Sequence, residues 1–240
     1  MPGNNYSKLV FIYDHLMRFV KYDKWAEYLC SLTKDYLPRD PVVLELACGN
    51  GKLASFLLKY YKNITITDKC FEMLNYSKNK LLQKICCDMT HLPFNNKFDF
   101  IFSTFDSINY LTSKKSLLML FLEIRRVLND KGIFTFDVSL ERNSYKHIKI
   151  PIRRGSYNGV SYIQKTSYAN SQKIHKNVFE IKLDSSEIYS EIHKQKIYPF
   201  EVYFELLEKA KLYVVECYNA FTFTKARGDM ERVQFLVRKY

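Results

Sequence analysis

The five residues Val42 to Leu46 are apolar except for Glu45, include two β-branched side chains and follow Pro41. A short run of this kind between turn signals predicts a strand buried on both faces. Gly49 and Gly51 then interrupt the chain, and from Lys52 to Tyr61 the apolar positions recur at helical spacing, so the whole reads as a strand, a turn and a helix. The unit repeats: "ITITD" (Ile64 to Asp68) precedes a helical "KCFEMLNYSKNKL", "LQKICCD" ends at Asp88, and "KFDFIFSTFD" ends at Asp106. A long amphipathic "KKSLLMLFLEIRRVL" then leads to "GIFTFDV". Strands alternating with helices predict an α/β fold with a parallel sheet covered on both faces.

The two ends and the later middle of the chain follow other periods. Val10, Tyr13, Met17 and Val20, then Trp25, Tyr28, Leu29 and Leu32, recur at helical spacing and predict a pair of amphipathic helices. Between Ile148 and Tyr198 the period drops to two, in "VSYIQKTSYA", "KIHKNVFEIKL" and "EIYSEIHKQKIY", separated by "RRGSYNG", "NSQ" and "DSS". That alternation predicts an antiparallel meander. "PFEVYFELLEKA" returns as a helix, and "LYVVECYNAFTF" with "ERVQFLVRKY" predicts a closing hairpin. The expected organisation is a body formed by 1–140 and 199–240, with 1–36 as a helical segment over its site, and an inserted β-rich cap at 141–198.

Composition narrows the class. The 240 residues, 47% hydrophobic, suffice for one elaborated domain with a substantial core. Apolar runs break well before the roughly 20 residues of a bilayer span, and Met1 to Val20 lacks the charge and cleavage pattern of a secretion signal. A soluble, cytoplasmic protein with no membrane partner is expected. The six cysteines show neither a CxxC pair nor a dense framework, so no metal site or disulfide scaffold is expected, and a reducing compartment fits. The formal charge of +12 is compatible with a phosphate-bearing partner. Part of the excess is local: Arg142 to Lys196 holds eleven Lys and Arg against four Asp and Glu. Nothing in the sequence points to a particular oligomeric state.

Candidate chemistry lies at the strand ends. Glu45, Asp68, Asp88 and Asp106 close or nearly close four successive strands, and right-handed crossovers bring such positions to one edge of a sheet, where open α/β folds bind ligands. Gly49 to Ala54 matches G-x-G-x-x-A, with Asp68 nineteen residues beyond Gly49, which formally satisfies a dinucleotide fingerprint. A carboxylate at Glu45 has the wrong sign for a pyrophosphate, since like charges about 4 Å apart repel by roughly 4 kcal/mol at an effective dielectric near 20. S-adenosylmethionine instead offers an ammonium, a sulfonium, a ribose diol and an adenine amino group, and no phosphate.

These residues are also familiar as a set. Over nearly its whole length the chain resembles the class I S-adenosylmethionine-dependent methyltransferases, most closely a branch of mostly uncharacterised bacterial members. "ELACGNG" is similar to that family's first motif, "ITITDKCFEML" to the second, "CCDM" to the third and "FDFIFSTFDSINYL" to the fourth, while "YDHLMRFVKYDKWAEYL" and "EIHKQKIYPFEVYFELLEKAKL" resemble the branch's opening and its approach to the last helix. The resemblance implies a Rossmann-like, mostly parallel seven-stranded sheet with an antiparallel cap, and S-adenosylmethionine as cofactor with S-adenosylhomocysteine as product. It implies that Glu45 helps hold the cofactor and that Gly49 and Gly51 let backbone approach it. By the same resemblance Asp68 accepts the ribose hydroxyls, Asp88 the adenine amino group, Met73 and Met89 pack on the ring, and Ser103 and Phe105 flank the methionine part. Tyr13 or Tyr22 closes over the site. Ala47 stands where the commonest first glycine would be, Cys70 where Ser is usual, and Lys196 where the branch often has Arg.

Methyl transfer from a sulfonium rests mainly on proximity and alignment, with a base optional for an amine or hydroxyl acceptor. Asp106, His193 and Tyr13 are the expected catalytic groups, and Asn109, Tyr110 and Glu191 the expected substrate contacts. Glu191, His193 and Gln195 alternate and so share one strand face. A small-molecule acceptor methylated at N or O is the reading preferred here. An RNA methyltransferase gripping its substrate through the basic cap, and a module that binds cofactor without catalysis, are the alternatives. Asn/Asp-Pro-Pro-aromatic and Pro-Cys motifs of base methylation are absent from the sequence.

Overall fold

The computed structural model describes residues 6–183 and 187–240, and the "DSS" separator at 184–186 lies outside the described residues. Helices α1 (Val10–Leu16) and α2 (Tyr22–Thr33) precede a βα succession: β1 (Val42–Leu46), α3 (Lys52–Leu57), β2 (Asn63–Asp68), α4 (Phe71–Asn75), β3 (Gln83–Cys86) and β4 (Phe98–Ser103). A 3-10 turn (Ser107–Tyr110), α5 (Lys114–Val127), β5 (Leu128–Ser139) and α6 (Glu141–His147) follow. Four strands, β6 (Ile152–Tyr157), β7 (Val160–Ala169), β8 (Ile174–Lys182) and β9 (Ile188–Lys196), lead to α7 (Phe200–Lys209), β10 (Leu212–Asn219) and β11 (Arg232–Lys239).

Seven strands form one sheet in the order β10-β11-β5-β4-β1-β2-β3, and β6 to β9 form a separate antiparallel sheet in sequence order. In the large sheet only β11 runs against its neighbours, pairing antiparallel with both β5 and β10. The chain builds outward from β1 through β2 to β3, then returns to the other side of β1 for β4 and β5. The reversal opens a crevice beyond the carboxyl ends of β1 and β4.

Both faces of this sheet are covered, as the continuous apolar strands require. Leu117, Phe121 and Ile124 of α5 and Tyr203 and Leu206 of α7 pack with Leu44, Ile101 and Phe134 in one core cluster. Trp25, Leu29 and Leu32 of α2 and Leu53 and Leu57 of α3 pack with Val43, Phe100 and Phe102 in the other. Two local expectations are corrected. The helix expected from "KCFEMLNYSKNKL" is only five residues long, because Asn75, Ser77 and Asn79 are poor helix formers and the Asn79 side chain accepts from the Leu81 amide in a local turn. A helix not expected, α6, separates the two sheets.

Helix α1 joins the two sheets. Leu9 and Ile12 pack with Val160, Tyr162, Phe179 and Ile181 of the small sheet, while Val10 packs with Cys70 and Met73 beside β2. Glu191 of β9 holds the start of this segment: its carboxylate accepts from the amides of Tyr6 (2.7 Å), Lys8 (2.5 Å) and Leu9 (3.0 Å). Carboxylate acceptors suit an N-terminal turn whose amides have no helical partner. Glu191→Ala is therefore expected to speed hydrogen exchange at Lys8 and Leu9 by about tenfold or more, each lost charged hydrogen bond being worth roughly 1.5–3 kcal/mol. Amides of β1 and β4 should be unchanged, and equal protection in wild type and variant would refute the anchor.

Candidate functional site

A cavity of about 830 Å³ opens beyond the β1 and β4 ends and extends under the small sheet. Its floor is the turn after β1, where Ala47, Gly49 and Gly51 all take left-handed backbone (φ 50°, 58° and 67°). Asp68 fixes this turn to the next: its carboxylate accepts from the Gly49 amide at 2.7 Å and the Cys70 amide at 2.8 Å. Burial raises the Asp68 carboxyl above its ordinary range, and these amides offset part of the rise. A Cβ on Gly49 would lie 3.1 Å from Met73 Cε and 3.4 Å from the Tyr13 hydroxyl, so only hydrogen leaves that part of the floor open. Asp88 sits further along the wall, held by Thr90 through Oδ1 and by Lys69 at 2.8 Å through Oδ2. Its burial is outweighed by these contacts, and its carboxyl stays below the usual range.

Ala47, Gly49, Asp68, Met73, Asp88, Met89, Phe105, Tyr13, Tyr22, Asp106 and Tyr110 all line the cavity, as the sequence reading expects of them, but other expected residues do not. Glu45 is 2% exposed with Oε2 unpartnered, beneath the turn and off the wall, and burial raises its carboxyl well above the ordinary range. The negative rim is thus made by Asp68, Asp88 and Asp106. A Cβ on Gly51 would fall 2.7 Å from Ile66 Cδ1, so that glycine serves helix-to-sheet packing. Ser103, 1% exposed and in register between Leu46 and Phe136, is inside the sheet. Lys196 donates to the Gln172 carbonyl, away from the cavity.

Beyond β4, Phe105 and Asp106 form a second left-handed pair (φ 59° and 49°), each costing roughly 1–2 kcal/mol unless held. The holding group is an ion cluster built on the buried Asp137. Asp137 of β5 accepts from the Asp106 amide at 3.0 Å and from the Arg232 guanidinium of β11, and Arg232 lies 3.3 Å from Asp106 Oδ2. Ser139 donates to the same Oδ2 at 2.5 Å. Asp106 Oδ2 is thereby committed to Arg232 and Ser139, and no hydrogen bond to Oδ1 occurs among the described residues. Arg232 and Asp137 escaped sequence reasoning. A carboxylate within the apolar "FTFDV" was the available signal, since a fully buried acid requires a partner.

On the cap side the wall is polar and nearly free of acids, with His147 of α6, Arg153 of β6, Gln164 of β7, His175 of β8 and Gln195 of β9. His147 and His175 face each other with ring centroids 5.9 Å apart. Burial lowers both imidazoles, His175 from an ordinary 6.5 to about 4, so both rings are neutral at neutral pH. Asn109 is not a wall residue: fully buried, it exchanges hydrogen bonds with Ser139 and donates to the Lys196 carbonyl, joining β5 to the cap. Glu191 is likewise the α1 anchor rather than a cavity contact. His193 lines an adjoining cavity of about 490 Å³ between α1 and the cap. Its Nε2 is 3.3 Å from Glu191 Oε2 and its Nδ1 3.2 Å from the Tyr110 hydroxyl, which in turn is 2.7 Å from that of Tyr6.

Comparisons with known proteins agree with this geometry. The family profile described as "Methyltransferase domain" matches residues 43–132. YqeM of Bacillus subtilis, provisionally named a methyltransferase, is 28% identical over 247 residues, covering 98% of this chain and 97% of its own. The crystal structure of an S-adenosylmethionine-dependent methyltransferase from Clostridium acetobutylicum superimposes with a TM-score of 0.81 at 25% identity, covering 98% of both chains. The chain belongs to the S-adenosylmethionine-dependent methyltransferases. The sugar N-methyltransferase KedS8 of Streptoalloteichus shares the fold at a TM-score of 0.78 and 15% identity, covering 100% of this chain and 96% of its own.

The cofactor of this methyltransferase is S-adenosylmethionine, and its residues fit that group. A floor that a Cβ on Gly49 would crowd leaves room for backbone access, and Asp68 and Asp88 would supply acceptors and negative charge for a ligand with hydroxyl and amino groups. The neutral histidines give the methyltransferase a pH signature. Because the folded-state value of His175 is depressed, the unfolded chain binds more protons between about pH 4 and 6.5, so stability is complete above 6.5 and falls as pH drops through that window. The loss is on the order of 1–3 kcal/mol. Denaturant unfolding of wild type and His175→Asn from pH 7.5 to 4 is expected to show the wild type losing stability relative to the variant as pH falls; a difference that stays constant would refute the assignment.

Proposed function

We propose that this methyltransferase acts in the cytoplasm on a small-molecule acceptor, moving a methyl group to its N or O atom by in-line displacement. The observation that carries this reading is the continuous cavity, which runs from Gly49, Asp68 and Asp88 to the cap and is roofed by α1. A partly enclosed cleft of about 830 Å³ between the sheet edge and the small sheet suits a free small molecule. The likeness to KedS8, named a sugar N-methyltransferase, and the six free cysteines support it. In this reading 1–140 and 199–240 form the cofactor-binding body and 141–198 the cap over the acceptor.

When bound, S-adenosylmethionine supplies an electrophilic methyl on a sulfonium. Asp68 takes the ribose hydroxyls, Asp88 the adenine amino group, Met73 and Met89 pack on the ring, and the Gly49 backbone, Phe105, Tyr13 and Tyr22 enclose the rest. Alignment does most of the work. The acceptor's proton leaves through the Tyr6 and Tyr110 hydroxyls toward His193 Nδ1. Glu191 orients this imidazole by accepting from Nε2–H, the tautomer that leaves Nδ1 free to accept. Burial keeps both tyrosines protonated at neutral pH, so each can donate onward as it accepts.

Titration calorimetry with S-adenosylmethionine and S-adenosylhomocysteine, followed by a labelled-methyl screen of amines and hydroxylated metabolites, tests the reading. Asp68→Asn is expected to weaken S-adenosylhomocysteine binding about tenfold or more, the scale of one charged hydrogen bond. Unaltered affinity in a folded variant would overturn that role. With the acceptor that the screen returns, His193→Gln should lower kcat without changing cofactor affinity. A kcat equal to wild type would refute the relay.

A further inference from the structure

The cap-side half of the cavity carries a charge that the methyltransferase reaction alone does not use. Arg153 lines both this half and the adjoining cavity, and among the described residues its guanidinium has no hydrogen-bond or ion-pair partner. Arg232, the other arginine on the wall, is offset by Asp106 and Asp137. His175 is 6% exposed and its Nδ1 is buried without a partner, although the ring lines the cavity. The neighbouring amides are not in the same position: Gln164 donates to Asn177 at 2.9 Å and Gln195 to the Asp106 carbonyl at 3.3 Å. Without hydrogen-bond partners on this wall, among the described residues, are therefore the Arg153 guanidinium, the buried His175 Nδ1 and the exposed His147 ring. A buried nitrogen without a partner is costly to the fold, and a hydrogen-bonding ligand atom relieves that cost.

Resting on the small-molecule reading above, we infer that the acceptor carries an anionic group, a carboxylate or a phosphate, bound under the cap with Arg153 as its counter-ion and His175 Nδ1–H as a hydrogen-bond donor. Its amine or hydroxyl end points back toward Tyr6, Tyr110 and the cofactor floor. A guanidinium presents paired donors that match either oxyanion. A cationic group here would meet Arg153 and Arg232 with only Asp106 to favour it, so the wall selects by repulsion as well as attraction.

Calorimetry on the S-adenosylhomocysteine-saturated protein, with three probes of similar length, tests this: 3-aminopropyl phosphate, β-alanine and 3-amino-1-propanol. At least one of the two anionic probes should bind about tenfold or more tighter than the alcohol, the scale of one charged hydrogen bond, and which of them does so identifies the oxyanion. Arg153→Gln should abolish the difference and leave the affinity for S-adenosylhomocysteine as it was. Equal affinities, no binding by any probe, or a preference that survives Arg153→Gln would overturn the inference. Failure of S-adenosylhomocysteine itself to bind would instead count against the underlying reading.

Discussion

One carboxylate keeps the cofactor floor in shape. Asp68 accepts from Gly49 on one loop and Cys70 on the next, joining the turns after β1 and β2 across the sheet edge. Left-handed backbone at Ala47, Gly49 and Gly51 lets the chain turn away from the strand without a side chain filling the space above it. Ala47 bears a Cβ in that conformation, at a cost of roughly 1 kcal/mol relative to glycine. The strain is sustained because the Cys48 amide donates to the Thr67 carbonyl at 2.9 Å and the Gly49 amide to Asp68, so both neighbours are fixed to β2.

The opposite wall is held by a different chemistry. A buried carboxylate, Asp137, meets the half-buried Asp106 and Arg232 where β4, β5 and β11 come together, and desolvating such groups is costly unless each finds its partners. They do: Asp137 binds both Arg232 and the Asp106 amide, and Asp106 binds Arg232 and Ser139. The cluster fixes a backbone pair that would otherwise relax, setting Phe105 4.8 Å from Trp25, centroid to centroid. Removing Arg232 would leave the buried Asp137 beside the half-buried Asp106 with no cation between them. Its part is to position the loop, and the cavity gains a rigid rim from it.

Features with a local period were legible in the sequence. The βα succession, the meander and the hairpin all follow from spacing, and so do Asp68 and Asp88, because a strand end followed by a turn is a local pattern. What could not be read was which side of a strand end meets the cavity: both sheet faces are buried, so Glu45 and Ser103 look as suitable as Asp68 yet lie inside. Asn109 and Glu191 were seen as polar residues in the right region and given the wrong partners. Their acceptors and donors are backbone groups up to 185 residues away, and no period records them. Arg232 depends likewise on the register of β11 against β5, which pairs it with Ser139.

Glu191 also links the segment leading into α1 to the relay proposed above. The carboxylate that holds the Tyr6, Lys8 and Leu9 amides is the one His193 faces, so docking of α1 and orientation of the imidazole share an acceptor. Tyr6 reaches Tyr110 only from the docked segment, and the chain Tyr6–Tyr110–His193 therefore exists only when the roof is in place. Its burial would raise the Glu191 carboxyl, but His193 and the three amides outweigh that and hold it below the ordinary range. Glu191 consequently stays ionised across the physiological range and can serve both partners at once. In the relay proposed above, deprotonation of the acceptor would depend on the segment leading into α1, because Tyr6 lies on it.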